Sequence, residues 1–99
     1  MADLNGDIRL TVDTGKVALG YREVNRQVSR NAAKAVVIAV NGKKVIIDDL
    51  IHNCNVAQIK IIKFTGNSLE LGALCGKPYS VNAMAVLDAG NSGILKEDY

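Results

Sequence analysis

The chain has 99 residues, a net charge of +2 at pH 7 and 48% hydrophobic residues, which excludes a disordered polypeptide. The length fits one domain, placed here at residues 1–99, with little core to spare for an internal catalytic cavity. No apolar run reaches the roughly 18–20 residues of a membrane span, and the polar N-terminus does not fit a signal peptide, so we expect a cytoplasmic protein.

Helices and strands are predicted to alternate along the chain. Apolar residues recur at helical spacing over residues 3–14, 21–31, 43–54 and 69–75. Strand-like segments occupy residues 16–20, 34–41, 58–64 and 80–88. The segment 34–41 is almost continuously apolar, as in a strand that is covered on both faces. The order predicts an α/β protein, a three-layer α/β/α sandwich around a four-stranded mixed sheet.

Local signals mark where the later elements begin and end. Asn67, with Glu70 three positions later, is typical of a capping box at a helix start. Residues 88–91 read as a turn, and Ile94 is expected to dock on the core in a final helical turn. No linker, repeat or low-complexity segment interrupts the chain.

Motifs for catalysis, metals and nucleotides are weak. Only three residues separate Gly72 from Gly76, whereas a phosphate-binding P-loop needs four. His52, the single histidine, lies one turn after Asp48, but a triad or metal site needs a third group. The two cysteines, Cys54 and Cys75, are expected to be free, partly buried thiols. We therefore expect no enzyme activity, no metal and no cofactor.

Basic residues form a stripe on the second predicted helix. Arg22, Arg26 and Arg30 recur every four residues, opposite the apolar Val24 and Val28. Like charges at this spacing repel weakly, so the stripe is either an ordinary solvated face or a surface for an anionic partner such as RNA. The residues alone leave both interpretations open.

Two further features admit a functional and a structural interpretation. Gly20 precedes the basic helix. Its missing Cβ either lets a phosphate or base approach the backbone, or only allows the chain to turn from strand to helix. The loop over residues 76–82 places Tyr79 and Val81 beside Lys77. Aromatic groups near basic ones suit an unstacked RNA base, although Tyr79 could equally cover the edge of the core.

Four segments together resemble a known family. They are TGKVALGYREV (14–24), VVIAVN (36–41), FTGNSLELGALCGKPYSV (64–81) and LDAGNSGIL (87–95). In this order they are similar to the L30e family of archaeal and eukaryotic large-subunit ribosomal proteins, part of the kink-turn-binding group that includes L7Ae. The resemblance covers about residues 9–95 in one register. It implies an α/β/α sandwich that binds a sharply bent RNA duplex through three adjacent loops.

The resemblance also implies site residues. Gly20, Tyr21 and Arg22 match the helix start that enters the groove beside the kink, and Arg26 matches a commonly basic position one turn on. Asn41 matches an asparagine that hydrogen-bonds RNA. Tyr79 and Val81 match the aromatic and aliphatic pair that packs on an extruded base. We expect phosphate contacts mainly from five cations: Lys16, Arg22, Arg26, Lys43 and Lys77.

The sequence departs from the family at three places. The family often has proline after the asparagine and a basic residue early in the next helix, where this chain has Gly42 and Ile46. Ser80 stands where some relatives have arginine. Lys43 and Lys44 are placed to restore the missing charge.

The leading hypothesis is a structural component of the large ribosomal subunit, bound to ribosomal RNA and neighbouring ribosomal proteins, and monomeric when free. Three alternatives stay open at this point. They are a free kink-turn protein acting on small RNAs or its own message, a small enzyme using Asp48 and His52, and an adaptor whose basic stripe meets an acidic protein.

Overall fold

The computed structural model describes residues 4–39, 44–64 and 66–95. Helices and strands alternate strictly along these residues. Their bounds are α1 Leu4–Thr14, β1 Lys16–Leu19, α2 Tyr21–Ser29, β2 Ala35–Ala39, α3 Lys44–Val56, β3 Lys60–Phe64, α4 Ser68–Leu74 and β4 Ala83–Asp88. No helix within these ranges is long and apolar enough to cross a membrane.

The strands form one mixed sheet in the order β1-β4-β2-β3. β4 pairs antiparallel with both β1 and β2, whereas β2 and β3 are parallel. All five residues of β2 are buried, as the continuous apolar run predicts for a strand covered on both faces. The predicted α/β sandwich with a four-stranded mixed sheet is confirmed.

Two hydrophobic cores occupy the two faces of the sheet, because alternate strand residues point to opposite sides. One core joins α1 and α4 to the sheet through Ile8, Leu71 and the docked Ile94. The other joins α2 and α3 through side chains spaced by one helical turn, namely Val24, Val28, Leu50 and Cys54. The two pairs of helices are therefore the outer layers of the sandwich.

Local signals in the sequence place several boundaries correctly. The Asn67 side chain accepts a hydrogen bond from the Glu70 N–H at 2.8 Å, as expected for a helix N-cap. Gln58, predicted to open β3, instead adopts φ 59° in a turn, so the strand begins at Lys60. β4 begins at Ala83 and not at Ser80, because the Val81 N–H donates to the Ser68 carbonyl of α4 at 2.9 Å.

Both cysteines are free and buried. Cys54 lies in the core under α2 and α3, and Cys75 in the core on the opposite face of the sheet. Burial raises the pKa of each thiol, partly offset at Cys75 by the charge of Lys77. Both are therefore expected to be packing residues with low reactivity at neutral pH.

Candidate nucleic-acid interface

The Gly20 end of the sheet is defined by the C-terminal ends of β1 and β2 and the N-terminal end of β4. Strand pairing brings these three ends together, since β4 runs against both neighbours. The Gly20 N–H donates to the Ala83 carbonyl, and the Ala39 N–H donates to the Asn82 carbonyl, each at 2.9 Å. The start of α2 and the loop 76–82 are therefore joined through the backbone at one end of the molecule.

Gly20 holds the chain in a conformation that favours glycine, with φ 90° and ψ 151°. A Cβ added there would meet no atom within 4 Å, so the backbone faces open space. Gly20 gives α2 no side-chain cap, and the first N–H groups of a helix favour anions. This junction therefore offers exposed backbone and a favourable dipole to a phosphate.

Tyr21 is half-buried at the start of α2, where its ring packs against the core between α2 and α3. Its hydroxyl donates to the Asp49 carboxylate at 2.9 Å. This hydrogen bond raises the pKa of Tyr21 above its ordinary value of 10.0, with loss of hydration and the Asp49 charge as smaller causes. The hydroxyl proton is thus directed towards α3.

The three arginines of the stripe are exposed along α2 and at its C-terminal end. Arg22 lies one residue beyond Tyr21 at the Gly20 end. Arg26 forms a solvent-exposed ion pair with Glu23 at 3.2 Å, which is weak enough to yield to a phosphate. Arg30 caps the other end of α2, away from the Gly20 end.

The loop 76–82 is held against α4 by its backbone. The Lys77 N–H donates to the Gly72 carbonyl and the Val81 N–H to the Ser68 carbonyl, both at 2.9 Å. The loop crosses α4 at Gly72, where an added Cβ would collide with the Tyr79 carbonyl oxygen. The Tyr79 side chain is 55% exposed, and Lys77 beside it is also exposed. An exposed aromatic ring on an anchored backbone is suited to stacking.

Val81, the expected partner of Tyr79, is a core residue. Its side chain is 1% exposed and packs with Leu71 and Met84 in the core beneath α1 and α4. The 2.9 Å hydrogen bond from its N–H to the Ser68 carbonyl draws this part of the loop onto α4. A contact between Val81 and an extruded base stays a prediction.

Other predicted site residues are separated from this surface or lie outside the described ranges. Lys16 is at the opposite end of β1, in register with Asp88 and roughly 13 Å from Gly20 at about 3.3 Å per strand residue. Asn41 and Lys43 lie outside the described residues, as does Gly42. Of the predicted set, Gly20, Tyr21 and Arg22 lie at the Gly20 end, Arg26 lies one turn along α2, and Lys77 and Tyr79 lie in the loop that leads into β4.

Asp48 and His52 do not form a catalytic arrangement. Both are exposed on α3, and no hydrogen bond or ion pair joins them to each other. Within the part of the chain that the structure describes, no three histidine, cysteine or acidic side chains are grouped as a metal site would need. Among the described residues, the enzyme alternative therefore rests on Asp48 and His52 alone, two exposed side chains.

Asp49 has a role that sequence reasoning missed. It is exposed on α3, and its carboxylate accepts the hydrogen bond from the Tyr21 hydroxyl. One turn further along the same two helices, the Asn53 side-chain amide donates to the Asn25 side-chain oxygen at 2.8 Å. In the sequence, each helix has two polar side chains four residues apart. Which side chain of α2 bonds to which side chain of α3 becomes known only from the packing of the two helices.

Comparison with known proteins places the chain in a family. The family described as "Ribosomal protein L7Ae/L30e/S12e/Gadd45 family" matches residues 2–96. The chain belongs to this family. It is also similar to several archaeal proteins named "Large ribosomal subunit protein eL30". The resemblance stated from the sequence motifs is confirmed.

Three of these relatives match along nearly their whole length. The protein of Methanococcus vannielii is 39% identical, over 94% of this chain and 89% of its own. That of Pyrobaculum islandicum is 34% identical, over 97% of this chain and 95% of its own. That of Methanobrevibacter smithii is 36% identical, over 98% of each chain.

A solved structure shares the fold. It is described as "The structure of a protein with unknown function from Bacillus halodurans C". The superposition has a TM-score of 0.82, covers 96% of this chain and 94% of the other, and aligns residues that are 23% identical. This likeness supports the architecture alone.

Proposed function

We propose that this protein is a structural component of the large ribosomal subunit that binds kinked ribosomal RNA without catalysis. The observation that carries the proposal is the match, over nearly the full length of both chains, to proteins named as large-subunit protein eL30. The geometry of the Gly20 end of the sheet is compatible with this function, since it combines open backbone, exposed cations and an exposed aromatic ring.

The backbone and the arginines at the start of α2 supply the electrostatic part of recognition. A phosphate beside Gly20 would meet the positive end of the α2 dipole and no obstructing side chain. Arg22 and Arg26 continue the positive surface along the helix, and Lys77 lies on the neighbouring loop. Such contacts give affinity for any duplex and fix its orientation.

Tyr79 supplies the selective part of recognition. A sharply kinked duplex extrudes a base whose faces are apolar, and an exposed aromatic ring can stack on it. Straight duplexes keep their bases paired and stacked, so they offer Tyr79 no such surface. Tyr79 would therefore distinguish bent from straight RNA, whereas the arginines would not.

The remaining features of the proposed setting follow from membership of the ribosome. The partners would be ribosomal RNA and neighbouring ribosomal proteins, the location would be the cytoplasm, and the free protein would be a monomer. Lys43 would add positive charge to the RNA contact, and Asn41 would add a neutral hydrogen-bonding group. Lys16 would meet a part of the RNA away from the Gly20 end. Arginine is often found where this chain has Ser80, so specificity would depend more heavily on Tyr79.

The proposal is tested by sedimentation and by titration. The protein should co-sediment with large ribosomal subunits after a high-salt wash, and should dissociate when the RNA is digested. In titrations it should prefer a kinked RNA to a straight duplex of equal length and charge. A protein acting only on free small RNAs would keep the preference but would not sediment with subunits. An adaptor would retain its partner after nuclease treatment.

A further inference from the structure

Helices α2 and α3 are joined by two side-chain hydrogen bonds spaced one turn apart. The Tyr21 hydroxyl donates to Asp49 at 2.9 Å, and the Asn53 amide donates to the Asn25 oxygen at 2.8 Å. Both contacts advance by four residues on each helix, so the helices run parallel and the same face of each is used. We call this pair of contacts the α2–α3 ladder.

The apolar contacts between these helices do not define one axial register by themselves. Val24 and Val28 on α2, and Leu50 and Cys54 on α3, repeat at the same four-residue interval in one core. A displacement of one turn would still bring apolar side chains together, although the one-residue connection from β1 to α2 opposes it. The apolar side chains alone therefore do not specify the axial position.

The polar contacts do distinguish the registers. If α2 moved one turn along α3 in one direction, Tyr21 would lie beside Asn53 and Asn25 beside Ala57, so one polar pair of two would be lost. In the other direction Asn25 would lie beside Asp49, and Tyr21 would lose its acceptor. Smaller movements would stretch both hydrogen bonds beyond about 3.2 Å, where they weaken. The ladder thus favours the observed axial position of α2 relative to α3, together with the connection to β1 at Gly20.

The start of α2 needs such a constraint. The Gly20 N–H is held by the Ala83 carbonyl, but Gly20 has φ 90°, no side-chain cap and no atom within 4 Å of an added Cβ, so the outer side of its backbone is open. Arg22 follows two residues later, and its position depends on where the helix begins. Tyr21 stands between them, with its ring on the core and its hydroxyl on Asp49.

We propose that the α2–α3 ladder positions the start of α2 for kinked RNA, with Asp49 as a positioning residue that acts through Tyr21. The inference rests on the RNA-binding function proposed above. Tyr21 contributes to RNA recognition by holding the start of α2 in place, because its hydroxyl donates its hydrogen bond to Asp49. The acidic Asp49 therefore assists binding to an anionic ligand, the opposite of what its charge alone would do.

The decisive variant is Asp49→Leu, which removes the acceptor and keeps a side chain of similar size. Its affinity for a kinked RNA should fall about 3- to 10-fold, the usual effect of one lost hydrogen bond. Asp48→Leu is the matched control, because it removes the same charge from an adjacent exposed position that has no part in the ladder. Both variants should change the affinity for a straight duplex equally.

Three more variants separate positioning from other effects. Tyr21→Phe should show the same loss as Asp49→Leu, and the double variant should lose no more than either, because both changes break one contact. Asp49→Asn keeps an oxygen acceptor and should restore affinity to within about twofold of wild type. If Tyr21 instead donated directly to RNA, Asp49→Leu would leave affinity unchanged.

Thermal melts establish that each variant is folded at the titration temperature, and Tyr21→Phe provides the same test if Asp49→Leu unfolds. Unchanged affinity for kinked RNA in the folded variants would overturn the ladder proposal alone. The proposal would also be overturned if Asp49→Leu lowered the affinity for kinked RNA and for the straight duplex by the same factor, and by more than Asp48→Leu does. A wild-type protein without preference for kinked RNA would overturn the proposed function, and the ladder proposal with it.

Discussion

At the scale of single residues, the two members of a predicted pair have different roles. Tyr79 is 55% exposed, whereas Val81 is 1% exposed. The sequence motif places both in one loop but does not indicate which side chain points inward. That depends on a hydrogen bond between the Val81 N–H and Ser68, thirteen residues earlier in the chain. The Tyr79 ring is the member of the pair that is accessible in the free protein.

Replacing Tyr79 should therefore weaken selective binding without unfolding the protein. Stacking of one base on an aromatic ring contributes about 1–3 kcal/mol, so Tyr79→Ala should lower affinity for a kinked RNA by about 5- to 150-fold. Binding to a straight duplex should change little. Matched titrations with thermal melts provide the measurement. Wild-type affinity in Tyr79→Ala, or loss of its fold, would show that Tyr79 is not a stacking residue.

The Tyr21 hydroxyl should make stability depend on alkaline pH. Its pKa is raised in the folded state, so its contribution is fully present below the unfolded value of about 10 and is lost as pH rises through the folded value. The stability difference between wild type and Tyr21→Phe should be constant from pH 7 to about 9.5 and shrink above that. Urea melts across this range would measure it, and a difference that grows with pH would contradict the hydrogen bond.

At the scale of elements, hydrophobic periodicity located every helix and strand, because each element buries one face or both against the sheet. The errors lie at boundaries where a long-range backbone contact decides. The predicted strand 80–88 loses its first three residues. The Val81 N–H donates to the Ser68 carbonyl of α4, so regular pairing within the sheet begins only after Asn82, whose carbonyl accepts from the Ala39 N–H. The Asp49 contact was missed for a related reason, because its partner lies 28 residues away.

Gly72 is the residue through which α4 controls the loop 76–82. In Gly72→Ala the new methyl would collide with the Tyr79 carbonyl, a backbone atom that cannot rotate away. We expect a loss of about 1–3 kcal/mol in unfolding free energy, despite alanine's advantage of about 1 kcal/mol in a helix. Binding of kinked RNA should weaken with it.

Ala73→Ser, an exposed neighbour on the same helix, is the control for Gly72→Ala. It should leave both the melting temperature and the RNA affinity close to wild type. A Gly72→Ala protein that is more stable than wild type and binds normally would mean that the loop does not depend on this close approach.

At the scale of the whole molecule, the cations that the structure describes lie at both ends of the sheet. Arg22 is exposed at the Gly20 end and Arg26 one turn along α2, whereas Lys16 and Lys34 lie at the opposite end. Composition could not reveal this arrangement, because it arises from the directions of the strands. The grouping of Arg22 and Arg26 on one exposed helix face, and not the net charge of +2, favours an anionic partner.

The salt dependence of binding should report these contacts. If about four phosphates are neutralised, log affinity for a duplex should fall with log salt at a slope of roughly −3 to −4. Arg22→Gln should bring the slope about one unit closer to zero. Lys34→Gln, an exposed lysine outside the proposed contacts, should leave it unchanged. A wild-type slope near zero would contradict the electrostatic account.

The central position of β4 has a consequence for how the chain folds. β4 is the last of the described strands in chain order, yet it lies between β1 and β2, and within the described residues β1 pairs with β4 alone. Until β4 is available, the first strand has no neighbour and the sheet stays in two parts. Folding therefore depends on contacts distant in sequence, which form slowly and late. During translation, residues 83–88 must leave the synthesising ribosome before the four-stranded sheet can close.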